Sequence, residues 1–129
     1  MSIDRERAAE WASAYGSTWS VWDVTGFVEL FSEDVVYVDH PTGETVLGRP
    51  ALDAYVRKEQ REQGRVTVHM GSPVVEGDRV ACEFWATGDE GSIPGAFIAR
   101  LDDNGRCTQF REYWFELEDV VQPFPGWGG

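Results

Sequence analysis

The sequence FSEDVVYVDHPTGETVLGRPAL, residues 31–52, is the stretch around which the rest of the chain is expected to fold. Its pattern predicts a helix that ends at Phe31, then an acidic turn, and then a short β-branched strand over 35–38. The strand carries Asp39 and His40 to its end, and the following proline stops it because proline has no backbone N–H to donate. A carboxylate and an imidazole at the end of an apolar strand indicate either a functional site or a helix–strand corner.

The apolar residues on either side of this stretch divide the chain into a helical part and a strand part. Helical spacing predicts helices over 4–20, 23–31 and 50–63. From Arg65 the apolar period becomes two, which predicts four strands joined by turns. Three helices followed by such a meander predict a single α+β domain over 1–129, with the helices on one side of an antiparallel sheet. The predicted strands are 65–70, 79–88, 96–101 and 107–117, and the tail 120–129 is predicted to be irregular.

Composition excludes several classes of partner. The chain has 129 residues and a formal net charge of −12, so it should repel nucleic-acid backbones and anionic membrane surfaces, and anionic substrates are mildly disfavoured. Aromatic residues make up 13% of the chain and include six tryptophans. This content indicates either a bulky core or an aromatic-lined cavity.

Cysteine and histidine usage gives no sign of a disulfide or a metal site. Cys82 and Cys107 have no CxxC spacing, and the two histidines show no HxxxH or HxH spacing. The N-terminus is charged from residue 4, so no signal peptide is expected, and no apolar run approaches the ~20 residues of a membrane helix. A cytoplasmic protein without a metal or other cofactor is expected.

Two segments carry a resemblance to a known family. Residues 22–56, WDVTGFVELFSEDVVYVDHPTGETVLGRPALDAYV, and 95–115, GAFIARLDDNGRCTQFREYWF, resemble the nuclear transport factor 2-like superfamily, and within it the SnoaL-like and ketosteroid isomerase-like branch. The resemblance implies a cone-shaped cavity between a curved sheet and three helices. It also implies a homodimer formed through the convex sheet face. It leaves the activity open, because the superfamily includes isomerases, dehydratases, cyclases, epoxide hydrolases and non-catalytic binders.

The resemblance to ketosteroid isomerase nominates two catalytic residues. In that enzyme the base lies eight residues after the phenylalanine that closes the second helix, which is Asp39 here. A hydrogen-bonding tyrosine lies sixteen residues before the same phenylalanine, which is Tyr15 here. The chain departs from the pattern at His40, which precedes the proline, and at Phe97, which stands where a second oxyanion donor is needed. Because loss of one such donor costs ~3–4 kcal/mol, ketosteroid isomerase activity itself is not expected.

Strand alternation orients the other polar candidates. His40 should point away from Asp39, because neighbouring residues of a strand face opposite sides. The family alignment turns Glu112 into the cavity, and the alternative is an inward Arg111–Tyr113 pair with Glu112 in water. His69 falls on the more polar side of its strand, and it can serve either the cavity or the surface.

The expected cavity therefore has catalytic candidates and aromatic walls. Trp85, Arg111 and Tyr113 are expected on a convex face that forms the dimer, and Trp127 is expected to cover the cavity or to pack on a partner. The catalytic candidates are Asp39, Tyr15, Glu112 and His69, and the substrate-binding candidates are Trp19, Tyr37, Phe84, Phe97 and Trp114.

The sequence predicts a cofactor-free acid–base enzyme of the isomerase, dehydratase or cyclase type, acting on a small hydrophobic or polycyclic ligand. Asp39 would take a proton, Tyr15 would donate to the developing oxyanion, and Glu112 or His69 would be the second polar group. Two alternatives remain open. One is a ligand-binding module without catalysis, which Phe97 supports, and the other is a protein-interaction module that uses the convex face and the tail.

Overall fold

The computed structural model describes residues 2–129. The helices pack on one side of a curved, unclosed sheet, which confirms the predicted α+β class. Within these residues the helices are α1 Arg5–Ser20, α2 Val24–Val28 and α3 Arg49–Gln63, and the strands are β1 Phe31–His40, β2 Glu44–Leu47, β3 Val66–Met70, β4 Val74–Glu76, β5 Arg79–Gly88, β6 Ser92–Leu101 and β7 Cys107–Trp114.

The sheet has the strand order β2-β1-β7-β6-β5-β3, and β4 pairs with another part of β5. Neighbouring strands run antiparallel except for β1 and β7, which run parallel. The expectation of an antiparallel sheet is therefore corrected for this one pair. The parallel pair brings an early strand against the last one, so residues far apart in sequence share one wall.

Strand β1, at the start of residues 31–52, is longer than predicted. Helix α2 ends at Val28 and β1 already begins at Phe31, which pairs with Cys107. Between Phe31 and Val36 the register shifts, so β1 carries extra residues relative to β7. These extra residues are the acidic segment that was predicted as a turn. A bulge of this kind lets Glu33 and Asp34 stay exposed while the strand continues.

Two further differences concern short or glycine-containing strands. Strand β2 was not predicted, because in its four residues only Val46 is buried and no alternation can be recognised. Strand β6 begins at Ser92 and not at residue 96, and it contains Pro94 and Gly95, which are typical of loops. Gly95 is required there, since a Cβ atom would lie 2.5 Å from the Tyr113 carbonyl oxygen and 2.6 Å from the Phe84 ring.

An aromatic cluster fills the core between α1 and the sheet. The Trp11 ring packs edge-on against Phe31 and Phe97, with centroids 5.6 and 5.5 Å away. Phe110 lies 5.2 Å from Phe97 and 5.4 Å from Phe31. Such edge-to-face and tilted contacts are the favoured geometry of aromatic rings. The cluster therefore fixes α1 against β1, β6 and β7.

The C-terminal tail, residues 120–129, contains no helix or strand. It folds onto the outer face, which we define as the sheet face turned away from the helices. The Trp85 indole nitrogen donates to the Val121 carbonyl oxygen at 2.8 Å, and the Trp127 ring packs edge-on against Trp85. Trp127 therefore lies away from the cavity. None of the helices in residues 2–129 is long and apolar enough to cross a membrane.

Replacing Phe97 by alanine is expected to destabilise the fold by ~3–5 kcal/mol, because the fully buried ring would leave a void in the aromatic cluster. The matched control is Phe124→Ala in the tail, where the ring is 63% exposed and the change should stay within ~0.5 kcal/mol. Urea denaturation followed by far-UV circular dichroism measures both. Similar losses for the two variants would contradict this account of the core.

Candidate active site

A cavity of about 670 Å³ lies between the inner face of the sheet and the helices. Its wall combines rings from the helices with rings from the central strands. The aromatic lining residues are Tyr15, Trp19, Trp22, Phe27, Tyr37, Tyr55, Phe84 and Trp114.

Asp39 and Glu112 lie side by side on this wall. The two residues are register partners in the parallel pair of β1 and β7. Partners on adjacent strands project from the same face of a sheet, and here that face is the cavity side. Asp39 is only 3% exposed and Glu112 only 7%. The structure thus places two buried carboxyl groups next to each other at the base of an aromatic cavity.

Two tyrosine hydroxyls hold the Glu112 side chain. Tyr15 donates to Oε2 at 3.1 Å, and Tyr37 donates to Oε1 at 2.9 Å. Burial, followed by the negative charge of Asp39, raises the pKa of Glu112 to about 8, against the lowering effect of the two tyrosine hydrogen bonds. At neutral pH Glu112 is therefore mostly protonated and can act as a proton donor.

The phenol groups around Glu112 stay protonated. Burial, followed by the charge of Glu112, raises the pKa of Tyr15 and of Tyr37 well above their ordinary value. The same two effects raise the pKa of Tyr55, whose hydroxyl also interacts with Asp39. Protonated hydroxyls can donate hydrogen bonds to the carboxyl groups, and so they fix the position of the acidic pair.

Asp39 is held by two donors of its own. The Trp114 indole nitrogen donates to Oδ1, and the Thr42 hydroxyl donates to Oδ2 at 3.1 Å. Thr42 lies in the turn after β1, and Trp114 is the last residue of β7. The ends of the two parallel strands therefore orient this carboxylate from both sides.

Most of the residues nominated from the sequence lie at the cavity. The alternative with Arg111 and Tyr113 inward is wrong, because Glu112 alternates with them and points inward. The nominated residues that line the cavity are Asp39, Tyr15, Glu112, Trp19, Tyr37, Phe84 and Trp114.

His69 is not at the cavity, which corrects its nomination as a catalytic candidate. It pairs with Trp85 on β5, while Val68 and Met70 turn toward α1. The side chain lies on the outer face, where its Nε2 atom is buried without a hydrogen-bond partner in the part of the chain that the structure describes. His40 also lies on the outer face and stacks on Tyr113 with ring centroids 4.6 Å apart.

Phe97 does not line the cavity either, which corrects its nomination as a substrate-binding residue. Its ring lies 5.1 Å from Tyr15 and 5.5 Å from Trp11, inside the aromatic cluster. The ring is fully buried in that cluster and is closed to ligand. Its position on β6 is register-paired with Glu112, so the core begins directly beside the site.

Sequence reasoning missed Tyr55 and Thr42 as parts of the site. Tyr55 lies on the apolar face of α3, and nothing in its spacing shows that its hydroxyl reaches Asp39. Thr42 follows Asp39 closely enough that a turn hydrogen bond could have been anticipated from its type. Among residues 2–129, no group of three or more His, Cys, Asp or Glu side chains is arranged to hold a metal ion.

Comparison with known families gives one match over most of the chain. A family model described as a SnoaL-like domain matches residues 12–110. No curated protein matches the chain.

Solved structures share the fold at low sequence identity. A hypothetical protein with a ketosteroid isomerase-like fold from Catenulispora acidiphila DSM 44928, in complex with trimethylamine, is 24% identical with a TM-score of 0.75, over 87% of this chain and 89% of that one. A SnoaL-like protein of unknown function from Burkholderia thailandensis E264 is 12% identical with a TM-score of 0.75, over 89% of this chain and 99% of that one. The epoxide hydrolase/cyclase-like enzyme SalBIII has a role in pyran ring formation in the polyether salinomycin. It is 22% identical with a TM-score of 0.75, over 87% of this chain and 93% of that one. These similarities establish the fold.

Glu112→Gln is expected to stabilise the protein increasingly as the pH rises. The folded protein keeps the Glu112 proton up to about pH 8, whereas the unfolded chain releases it near the ordinary glutamate value. The folded state thus binds more protons between these values, and its stability falls as the pH rises through them. Glutamine removes this loss, so the gain over wild type should be small at pH 4.5 and reach a few kcal/mol, at most ~5, at pH 8.5.

Urea denaturation at a series of pH values measures this gain. Glu10→Gln, an exposed position on α1, is the matched control and should change stability by less than ~0.5 kcal/mol at every pH. A Glu112→Gln curve parallel to that of the wild type would show that the buried carboxyl has no raised pKa.

Proposed function

The chain belongs to the SnoaL-like domain family, and on that premise we propose that it is a cofactor-independent acid–base enzyme of the dehydratase or cyclase type. Its substrate is a small molecule with a largely hydrophobic body. The observation that carries the proposal is the adjacent pair of buried carboxyl groups, Asp39 and Glu112, at the base of the cavity. A Glu112 that keeps its proton beside a second carboxyl group gives the site an acid and a candidate base.

The two carboxyl groups supply complementary proton transfers. Asp39 accepts a proton from a C–H or O–H group of the substrate, and Glu112 gives its proton to an oxygen that leaves carbon. In a dehydration the C–H and C–O bonds break, a C=C bond forms, and the hydroxyl leaves as water with the Glu112 proton. In a cyclisation a substrate hydroxyl loses its proton to Asp39 and attacks an epoxide carbon, while Glu112 protonates the opening oxygen.

The same residues return the site to its starting protonation state. After either reaction Asp39 holds a proton and Glu112 is ionised, and transfer of the proton between these neighbours restores the starting state. Tyr15 and Tyr37 stabilise the ionised Glu112, because their hydroxyls already donate to its two oxygens. Their preset orientation means that little reorganisation accompanies the charge change.

An enolate isomerase receives less support from this geometry. Tyr15, which was expected to donate directly to a substrate oxyanion, donates to Glu112. Phe97 stands in the core and offers no second donor. Tyr15 therefore acts as a positioning residue for the acid in the proposed reaction.

We expect Asp39→Asn and Glu112→Gln each to lower kcat/KM by ~10²–10⁴-fold, the usual contribution of a general base or acid. The assay screens β-hydroxy ketones for dehydration and epoxy alcohols for cyclisation by mass spectrometry. The wild-type rate should fall as the pH rises through about 8, because Glu112 must be protonated to donate. In the Glu112→Gln variant this fall in rate through about pH 8 should be absent.

Glu10→Gln is the control and should keep the wild-type rate and pH profile. If the Asp39 and Glu112 variants kept wild-type rates on a substrate of this screen, the proposed mechanism would be wrong. Binding of screen compounds without any turnover would favour a ligand-binding module.

We further propose that the chain forms a homodimer through the outer face beside β1, β2 and β7. Val36, Leu47 and Tyr113 are exposed apolar side chains on this face, away from the part covered by the tail. Exposed apolar side chains on one face of a sheet favour a protein contact.

Leu47→Glu is expected to convert the dimer to a monomer, because it places a charge within the contact. Sedimentation velocity at about 50 μM measures the species, a concentration suited to a micromolar dimer. Val21→Glu, at another highly exposed apolar residue just after α1, should leave the dimer intact. A wild-type protein that sediments as a monomer would refute the proposal.

A further inference from the structure

The cavity carries a concentrated negative charge. Ten acidic side chains line it, nine of them in addition to the protonated Glu112, against two cationic ones, Lys58 and Arg65. The whole chain has 23 Asp and Glu and 11 Lys and Arg, so the lining holds more than two fifths of the acids and under a fifth of the bases. Because low-dielectric walls focus the field of surrounding charges, a cleft of this kind attracts cations beyond the effect of net charge.

In the described part of the chain, the carboxylate at the base of the cavity has no counter-ion. Asp39 is 3% exposed, and the donors that this part of the chain offers to it are neutral. The ion pairs within residues 2–129 are Arg57–Asp53 and Arg100–Asp78, and none of these four residues lines the cavity. A buried carboxylate is unfavourable unless an opposite charge offsets its lost hydration. The site therefore lacks a positive charge that a ligand can supply.

The walls suit a cation as well as an apolar group. Trp114 donates its indole N–H to Asp39, so its ring lies beside the carboxylate. Trp19 and Trp22 line the same cavity nearer the helices. Indole faces attract ammonium groups, and the attraction grows when the site excludes water. An ammonium group next to Asp39 would thus meet both a carboxylate and an aromatic ring.

We propose that the cavity selects substrates that carry a protonated amine on an apolar body, with the ammonium group directed to the carboxylates and the body on the aromatic walls. The proposal rests on the proposed function in taking this cavity as the substrate site. It concerns recognition, and it can be tested without any turnover.

Three probes of similar size and different charge separate this inference from simple hydrophobic binding. They are 4-phenylbutan-1-amine, 4-phenylbutan-1-ol and 4-phenylbutanoate, titrated at pH 7 and low ionic strength. Binding is followed by quenching of tryptophan fluorescence and by calorimetry. We expect the amine to bind at least about tenfold more tightly than the alcohol, and the carboxylate to bind more weakly than both. The advantage of the amine should shrink in 0.5 M salt, since salt screens the exposed rim charges.

A variant in the cavity lining tests whether negative charge causes the tighter binding of the amine. Glu59 is half-buried on α3, lines the cavity and takes no part in the proposed proton transfers. Glu59→Gln should weaken binding of the amine about threefold and leave the alcohol unchanged. Glu10→Gln removes the same charge away from the lining and should change neither probe.

The binding results test the proposal of amine recognition independently of the acid–base proposal. Equal affinities for amine and alcohol, tighter binding of 4-phenylbutanoate, or no binding of any probe at millimolar concentration would overturn it. So would a Glu59→Gln variant that affects amine and alcohol alike. Amine-selective binding supports it even if no compound of the dehydration and cyclisation screen reacts, in which case the acid–base proposal alone fails.

Discussion

The parallel pairing of β1 with β7 is the contact on which the cavity depends. Tyr37 and Glu112 are 75 residues apart in sequence and meet only because these two strands are neighbours. The same pairing sets Asp39 opposite Glu112 and brings Trp114 to its carboxylate. A register slip of one residue would turn the whole inward set of one strand to the outer face. The apolar partners on the inner side therefore fix the register and the site together.

Burial of the acidic pair explains both the order of the site and its chemistry. Two tyrosine hydrogen bonds favour an ionised Glu112, yet burial and the nearby Asp39 charge outweigh them, so the carboxyl keeps its proton at neutral pH. A site of this kind lowers the stability of the folded state at the pH where it is useful. The aromatic cluster around Trp11, Phe97 and Phe110 offsets that loss, since it supplies a dense core directly beneath the pair.

The aromatic residues form two groups that meet at Tyr15. On the side of Trp11 and Phe97, the rings pack against one another and leave no room for a ligand. On the other side, Trp19, Phe84 and Trp114 border the cavity, whose lining is rich in acidic residues. The high aromatic content thus serves both of the purposes that composition left open, a bulky core and a lined cavity. The position of each ring relative to α1 decides which purpose it serves.

The sequence by itself determined the fold class, the helices and the direction of side chains within single strands. Alternation placed His40 away from Asp39, because the alternation of side chains is a property of a local segment. The resemblance to ketosteroid isomerase nominated Asp39 and Tyr15. Only the tertiary structure decided that β1 and β7 run parallel, that Glu112 binds Tyr15 and Tyr37, that Tyr55 joins the site, and that Phe97 and His69 do not. These outcomes depend on which strands become neighbours and on how their registers align. That choice is made by packing across the whole core, and no single segment encodes it.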